Sequence, residues 1–247
     1  MFRRILSLLA SMFILILPIS VAGADGEASW WDASFQAMRY EEPHYGIVIC
    51  NKMTVRSKAS TSGRAYGQIK NGQPVKILGI TSDGKFYVLD LPSCGFSGAA
   101  SGTYGYAKAS LIKMDPTFFY VKSTTDLYAT PWGDGRKNGE QVGRYFLVIS
   151  SYGGWYAVQT AESSPGTSFV RSGSIYMSYQ SKYVVNWDAP LYEDEYTVVP
   201  LRTVKRFRLT GRLINISGDR TLLVFNEGST DQFSAWIPSQ YISPVIN

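Results

Sequence analysis

One phrase recurs three times along the chain and constrains its fold more than any other feature. It begins with an aromatic residue and a small or β-branched residue, continues with mostly polar residues, and ends on an apolar one. It occurs as GYAKASLI at 105–112, FVRSGSI at 169–175 and AWIPSQYI at 235–242. A strand-like run and a polar loop precede each copy; the runs are GKFYVLDL, GGWYAVQT and DRTLLVFN. Repetition of this kind predicts three related structural units.

The start of each unit also follows a common order. A short opening strand, at Val55, Leu127 or Leu191, comes before a polar loop. In the run GKFYVLDL of the first unit, Tyr87 and Leu89 face one side and their immediate neighbours face the other, which is the two-residue period of a strand. About five short strands in a unit are too few for a stable flat sheet, but they can close into a barrel without exposed edges. The sequence therefore predicts an all-β fold of tandem small β-barrels.

The N-terminal segment has the pattern of a secretory signal peptide. Two arginines precede an apolar run at 5–19, and Ala22 and Ala24 supply the small residues of a cleavage site. The run is shorter than the ~20 residues that a membrane span needs. The alternative to a cleaved signal peptide is an uncleaved membrane anchor. Cleavage after Ala24 predicts an exported chain that begins at Asp25.

These features divide the chain into five predicted segments. Residues 1–24 are the signal peptide and residues 25–45 are a leader, in which Trp30 and Trp31 are available to dock on a barrel or a partner. The predicted barrels are 46–114, 118–177 and 182–243.

Composition agrees with an all-β chain and excludes one class of partner. The sequence has 17 Tyr, 12 Phe, 6 Trp and 23 Gly but one His and two Cys, and aromatic enrichment favours strands. The formal net charge of +5 becomes +3, with 22 basic against 19 acidic residues, once Arg3 and Arg4 leave with the signal peptide. A charge this small does not indicate a nucleic-acid binder, which concentrates far more positive charge on one face.

The repeated residues resemble the bacterial SH3-like (SH3b) domain family. The first unit, with TVRSKASTSGRAYGQIKNGQPVKILG at 54–79 and the two phrases after it, is similar to the whole family pattern. That pattern is a VR strand, a polar loop, a Gly-x-apolar turn, a central strand, a GWxxV strand and a GYV…YL ending. Phe86 stands where the family has Trp. The second unit shares GWYAV at 154–158, and the third shares the hydrophobic skeleton and the ending at Trp236.

The resemblance implies a shape and a partner. In SH3-like barrels the polar loop after the first strand overhangs a shallow groove. The family is mostly found as targeting modules on exported proteins, where it binds peptidoglycan peptides or other wall polymers. Independently of the resemblance, the sequence predicts no cofactor, the small net charge predicts no nucleic-acid partner, and signal cleavage predicts no membrane contact. The shared motifs form the fold, so they say more about shape than about activity.

Aromatic side chains are the candidate groove residues, because grooves of this type place aromatic rings against extended peptides. For each of them, ordinary packing in the core or on the surface is the alternative. Trp155 and Trp236 are assigned to the cores. The groove candidates are Tyr66, Tyr87, Tyr128, Trp132, Tyr156, Tyr192 and Tyr196.

The sequence offers no catalytic or metal-binding set. His44 is the one histidine, so a zinc site built on two histidines is excluded. A thiol peptidase using Cys50 or Cys94 with His44 would need a separate domain, and no stretch remains to form one. The two cysteines instead predict a disulfide within the first unit, because an exported protein permits one; two separate thiols are the alternative.

Two charged groups remain as possible ligand contacts. The acidic run 193–195 lies where the overhanging loop of the third unit is expected, and it is suited to an amine or a metal ion. A set of four arginines shares one parity along a predicted strand, with Phe207 and Leu209 facing inward, and is suited to anionic wall polymers. In both cases a solvated surface is the alternative. The arginines are Arg202, Arg206, Arg208 and Arg212.

The sequence therefore predicts a secreted, extracellular, wall-associated or periplasmic protein that binds and does not catalyse. The resemblance favours cell-wall peptidoglycan as the ligand. The alternative is a protein-interaction or structural module that docks to another exported protein, which the divergence among the three units favours.

Overall fold

A computed structural model describes residues 37–246 except 97–98, 101, 122–123, 136, 141–142, 161–165 and 175–181. The fold is all-β, as the sequence predicts. Within the described ranges, helical structure is confined to four short 3₁₀ turns, at Pro92–Cys94, Ala109–Leu111, Ser172–Ser174 and Ser239–Tyr241. The predicted signal peptide and leader residues 25–36, with Trp30 and Trp31, lie outside the described residues.

The strands fall into three groups, which we call the first, second and third units. The first unit contains β1 (Ala37–Val48), β2 (Lys52–Arg56), β3 (Ala65–Lys70), β4 (Pro74–Thr81), β5 (Phe86–Asp90), β6 (Tyr104–Lys108) and β7 (Ile112–Met114). The second contains β8 (Thr117–Tyr120), β9 (Thr125–Leu127), β10 (Lys137–Glu140), β11 (Tyr145–Tyr152), β12 (Trp155–Thr160) and β13 (Thr167–Arg171). The third contains β14 (Lys182–Val185), β15 (Ala189–Leu191), β16 (Arg202–Val204), β17 (Thr210–Ser217), β18 (Arg220–Phe225), β19 (Phe233–Pro238) and β20 (Ile242–Ile246).

The same antiparallel pairings recur in each unit. A leading strand (β1, β8 or β14) pairs with a long strand (β4, β11 or β17), which forms consecutive hairpins with the next two strands. Each long strand shifts register by one residue at a comparable point, after Ile77, Val148 and Leu213. Such bulges bend a strand and increase its twist. In the first unit the bulge ends at Gly79, where a Cβ atom would lie 2.3 Å from the Met38 carbonyl oxygen.

The sheets are open, which corrects the prediction that each unit closes into a barrel. The first unit forms a seven-stranded sheet in the order β3-β2-β6-β5-β4-β1-β7. The other two share a nine-stranded sheet in the order β13-β12-β11-β8-β20-β14-β17-β18-β19, with β9–β10 and β15–β16 as separate pairs. The ladder of the first sheet ends at β3 and β7, and β20 joins the second and third units into one ladder that ends at β13 and β19, so neither ladder returns on itself.

Strand β1 begins inside the segment that the sequence assigned to the leader. It starts at Ala37 and pairs antiparallel with β4 on one side and with β7 on the other. Residues 37–45 are therefore part of the first sheet. The other unit boundaries remain predictions.

Each unit buries its own apolar cluster. Val55, Ile77 and Leu89 are 0% exposed in the first unit, and Tyr87 packs with them. The second cluster includes Phe119, Phe146 and Val158, and the third includes Leu191, Leu223 and Phe225. The alternation predicted for β5 is confirmed, since Tyr87 and Leu89 lie in this core while Val88 belongs to a separate cluster.

A further buried cluster, which we call the junction cluster, combines side chains from all three units. Phe207 packs against it, with its ring centroid 5.4 Å from that of Phe118 and 5.2 Å from that of Tyr145. Strand β20 passes through the same region, antiparallel to β14 and parallel to β8. The units therefore share a core as well as a chain. The junction cluster consists of Ile47, Phe118, Leu147, Val184 and Val245.

The two cysteines are free thiols in the structure, which corrects the predicted disulfide. Cys94 is 4% exposed and belongs to the first core cluster. Cys50 is half-buried and packs against that cluster. Burial raises the pKa of the Cys94 thiol to about 12. A thiol that stays protonated does not supply the thiolate that disulfide exchange requires.

We expect the protein to lose stability in alkali. Burial raises the pKa of Tyr45 and Tyr145 from 10.0 to about 12, and that of Cys94 from 9.0 to about 12. The folded state thus favours the neutral forms. Their contribution is complete below about pH 9 and is lost as the pH rises towards 12. Urea denaturation at several pH values should show the free energy of unfolding falling across this window, and falling less in Tyr45→Phe. A flat profile above pH 9 would contradict this reading.

Candidate functional site

Four aromatic side chains lie together on the surface of the second unit. The rings of Tyr128 and Trp155 meet edge to face, with centroids 5.2 Å apart, and those of Trp132 and Tyr152 do so at 5.7 Å. Trp132 is 70% exposed and Tyr152 is 60% exposed. We call these four residues, together with Arg171, the aromatic surface.

Backbone geometry brings these residues together from three places in the chain. Tyr128 directly follows β9, and its N–H and C=O both bond to the Phe169 backbone at 2.9 Å. Tyr152 and Trp155 flank the two-residue turn between β11 and β12, in which Gly153 and Gly154 have φ of 51° and 84°. Positive φ at both central residues is the requirement of the tight hairpin turn that suits twisted strands.

Trp132 is held by the polar loop that follows β9. The Thr130 hydroxyl accepts hydrogen bonds from the backbone N–H groups of Trp132, at 3.4 Å, and Asp134, at 3.3 Å. The N–H of Ala129 donates to the Asp134 carbonyl at 3.0 Å. This is the long polar loop of the repeat, folded back so that it presents an indole to solvent.

Arg171 supplies the positive charge of the aromatic surface. Its position opposite Trp155 in the β12–β13 ladder puts the guanidinium carbon 5.3 Å from the Trp155 ring centroid and 6.0 Å from that of Tyr128. A guanidinium over aromatic faces gains cation–π attraction and can still donate to a carboxylate. The surface is therefore suited to a ligand with an apolar face next to an anionic group.

The structure exchanges the predicted roles of Trp155 and Tyr156. Trp155 was assigned to the core and is half-buried on the aromatic surface, whereas Tyr156, a predicted groove residue, packs against the core cluster with Val158. Residues 156 and 158 share one face of β12, so the buried Val158 sets the parity. Sequence reasoning also missed Tyr152 and Arg171, although the paired glycines at 153–154 are a hairpin signal that could have placed Tyr152 beside Trp155.

The first unit does not reproduce this surface. Tyr87, a predicted groove residue, is 9% exposed and belongs to the core, which corrects that prediction. Tyr66 is 40% exposed on β3, with the Arg64 guanidinium carbon 5.5 Å from its ring centroid. Arg56 pairs with Tyr106 as Tyr128 pairs with Phe169, but its guanidinium donates to the Gly63 carbonyl at 2.8 Å. In the first unit, Arg56, which is bonded to its own loop, therefore takes the place that Tyr128 has in the second unit.

The third unit has one aromatic–arginine pair at the matching position. Tyr192 pairs with Trp236, and the Arg220 guanidinium carbon lies 3.9 Å from the Tyr192 ring centroid. Arg220 also donates to the Asp194 carbonyl at 3.1 Å. Trp236, predicted in the core, is half-buried, and Tyr196 is 81% exposed in the loop.

The acidic run 193–195 shapes its own loop. The Asp194 carboxylate accepts from the Tyr196 N–H at 2.8 Å, and from the N–H and hydroxyl of Thr197 at 2.6 Å each. These bonds hold the pKa of Asp194 below its usual range, and bonds from Ser217 and Tyr196 do the same for Glu195. The geometry fits the alternative reading of a solvated loop, with local hydrogen bonds satisfying the acids.

The four candidate arginines do not share one face, which corrects the expected anion-binding strand. The chain turns between β16 and β17, where Phe207 has φ of 58°. Arg202 lies over the Phe233 ring at 4.4 Å, and Arg206 lies over Trp187 at 5.3 Å. Arg208 is exposed in the turn, while Arg212 forms bonds of 2.7–3.0 Å with the Glu227 carboxylate.

His44 lies on β1, with its Nδ1 atom 3.0 Å from the Asp115 carboxylate. Among the residues that the structure describes, no three His, Cys, Asp or Glu side chains are grouped closely enough to hold a metal ion. Over the same residues, the structure contains no helix of the length and hydropathy that a membrane crossing requires.

Comparison with known proteins identifies the first unit. Residues 51–113 match the sequence profile of the bacterial SH3 domain. Residues 51–113, the part of the first unit that this match covers, are called the SH3 domain below. The match covers β2 to the start of β7, so this SH3 domain includes the polar loop and the first closing phrase. No curated protein matches the chain.

Two solved structures show a low likeness to the whole chain. NlpC1 from Trichomonas vaginalis is 8% identical and has a TM-score of 0.24, with 84% of this chain and 96% of that chain covered. NlpC2 from the same organism is 6% identical and has a TM-score of 0.24, with coverage of 82% and 99%. Likeness at these values carries no argument about the fold or the function of this chain.

Proposed function

We propose that the protein is exported and binds cell-wall peptidoglycan without degrading it, through the aromatic surface of the second unit. The observation that carries this proposal is the aromatic surface itself, where the exposed Trp132 and Tyr152 rings lie beside the half-buried Tyr128–Trp155 pair and Arg171. Support for the ligand class comes from the bacterial SH3 domain in the same chain, because that family is typically a wall-binding module. Signal cleavage before Asp25 would deliver the protein to the wall.

The chemistry of the aromatic surface suits a wall polymer. Peptidoglycan combines sugar rings, which have apolar faces, with short peptides that carry carboxylates. Exposed indole and phenol rings provide flat contact area at low entropic cost. Arg171 is placed to donate to a carboxylate while the ligand lies against Trp155. A shallow surface of this kind implies weak binding by one molecule, in the micromolar-to-millimolar range.

A protein partner is the second candidate, and a different surface favours it. The loop after β15 exposes four large apolar side chains, at fractions between 60% and 82%. Contiguous exposed apolar residues often mark interaction sites. Here the third unit would dock to another exported protein, and the SH3 domain would serve as a spacer. The four residues are Tyr196, Val198, Val199 and Leu201.

Co-sedimentation with purified sacculi tests the proposal. The chain from Asp25 onward should be retained in the pellet, and the supernatant should contain no soluble wall fragments after long incubation. Retention should survive moderate salt, because aromatic contact is screened far less than exposed charge pairs are. Absence of retention on sacculi from several bacterial types would favour the protein-partner function, and release of soluble fragments would reveal an enzyme.

A further inference from the structure

A cleft of about 530 Å³ separates the first and third units, away from the aromatic surface. One wall comes from β1 and the segment after β7, and the other comes from the β17–β18 hairpin, β14 and β20. Its volume lies within the range of small-ligand and short-peptide sites, about 300–1,000 Å³. The lining residues are Glu42, Pro43, Tyr45, Asp115, Pro116, Tyr183, Ile216, Gly218, Thr221, Ser239, Ile242 and Pro244.

The walls of the cleft are largely apolar. Ile216 is 60% exposed on one wall, although it belongs to a strand. Tyr183 and Ile242 are half-buried and also pack against the third core. Aromatic side chains such as Tyr183 line many of the grooves that receive extended peptides. The cleft therefore offers a largely apolar surface between the first and third units.

The charge of the cleft is negative. Glu42 and Asp115 are among its lining residues, which include no lysine or arginine. Asp219 lies close enough to Tyr45 to raise the pKa of its phenol. Two basic side chains lie near these acids: His44 contacts Asp115 at 3.0 Å, and Lys76 contacts Asp219 at 3.7 Å. Both side chains belong to the first unit, and neither is a lining residue.

Hydroxyl groups line the floor of the cleft. The Thr221 and Ser239 hydroxyl oxygens lie 2.8 Å apart, and both residues are buried, at 2% and 9% exposed. Tyr45 is half-buried, so its hydroxyl is the one of the three that can donate to or accept from the backbone of an extended chain. Burial raises the pKa of Tyr45 to about 12, so its phenol stays neutral at physiological pH.

We infer that this cleft binds a short extended peptide that carries a lysine-like primary amine next to an apolar side chain. The amine pairs with Glu42 and Asp115, the apolar side chain lies against Ile216 and Tyr183, and the peptide backbone meets the Tyr45 hydroxyl. This inference does not depend on wall binding by the second unit, since the two surfaces share no residue.

The test uses three blocked tripeptides in which lysine follows alanine, leucine or proline, each paired with its N-acetyl-lysine counterpart. Binding is followed by methyl NMR of Ile216 and Ile242. At least one lysine peptide should shift both methyl signals, and its acetylated counterpart should bind several times more weakly. Glu42→Gln should weaken binding about three- to fivefold, the range expected for a partly exposed ion pair.

Glu41→Gln is the matched control. Glu41 is exposed and neighbours Glu42 on β1, but it is not a lining residue of the cleft. It should leave binding unchanged, and both variants should keep the wild-type unfolding midpoint. Equal binding of lysine and acetyl-lysine peptides, an equal effect of the two variants, or no shift at Ile216 and Ile242 with any peptide would overturn the inference. These results can be interpreted whether or not the protein binds sacculi, because the cleft and the aromatic surface share no residue.

Discussion

Replacing Phe118 by alanine should lower the free energy of unfolding by about 3–5 kcal/mol, the cost of deleting a buried aromatic ring. Phe118 is 2% exposed in the junction cluster and meets the Phe207 ring edge to face at 5.4 Å. Ile47 and Val245 contribute to the same cluster from the first and third units. The cavity would therefore weaken contacts in all three units at once.

Chemical denaturation followed by tryptophan fluorescence and by far-UV circular dichroism measures this effect. Both signals should move to lower denaturant together, because one shared core couples the units. Val198→Ala is the control, since Val198 is 82% exposed and should change stability by less than about 0.5 kcal/mol. A loss below about 1 kcal/mol for Phe118→Ala, or probes that separate in the wild type, would show that the units are independent.

The local features of the fold were readable from the sequence. The closing phrases lie on β6, β13 and β19 with the 3₁₀ turns that follow them, because an aromatic and a small residue alternate there before a polar turn. The period of β5 correctly separates Tyr87 and Leu89 from Val88. These features depend on neighbours in the chain, which a sequence displays directly.

Long-range pairings were not readable. Nothing in Ile242–Ile246 indicates that β20 pairs in parallel with β8, some 120 residues earlier along the chain. That pairing joins the second and third units, and leading and closing strands extend the open sheets that replace the predicted barrels. The turn at Phe207 could not be predicted for another reason. Phe207 adopts positive φ without the glycine that normally marks it, so residues 202–212 looked like one strand.

The candidate site was predicted in kind but not in detail. Tyr128 and Trp132 lie on the aromatic surface, as candidates drawn from the opening strand and polar loop should. Trp155 was predicted in the core and Tyr156 in the groove, but Trp155 lies on the aromatic surface and Tyr156 packs against the core. Both residues are aromatic, so the strand sequence alone does not show which face of β12 is buried. Arg171 was missed because its partner Trp155 had been assigned to the core.

Removing the two central rings of the aromatic surface should abolish most of the wall binding. Tyr128→Ala with Trp155→Ala should weaken binding by at least about tenfold, since aromatic residues at the centre of an interface commonly contribute about 2 kcal/mol or more. Trp155 is half-buried and outside the core cluster, so the double variant should stay folded. Tyr66→Ala, an exposed tyrosine of the SH3 domain, is the matched control and should bind like the wild type.

The most direct test is the indole NMR spectrum of the protein titrated with soluble peptidoglycan fragments. Single Trp→Phe variants assign the signals. The indole N–H signals of Trp132 and Trp155 should shift with one common dissociation constant. Those of Trp187 and Trp236, in the third unit, should stay in place. Shifts confined to Trp187 or Trp236, or an unchanged spectrum at fragment concentrations up to the millimolar range, would contradict wall binding through the second unit.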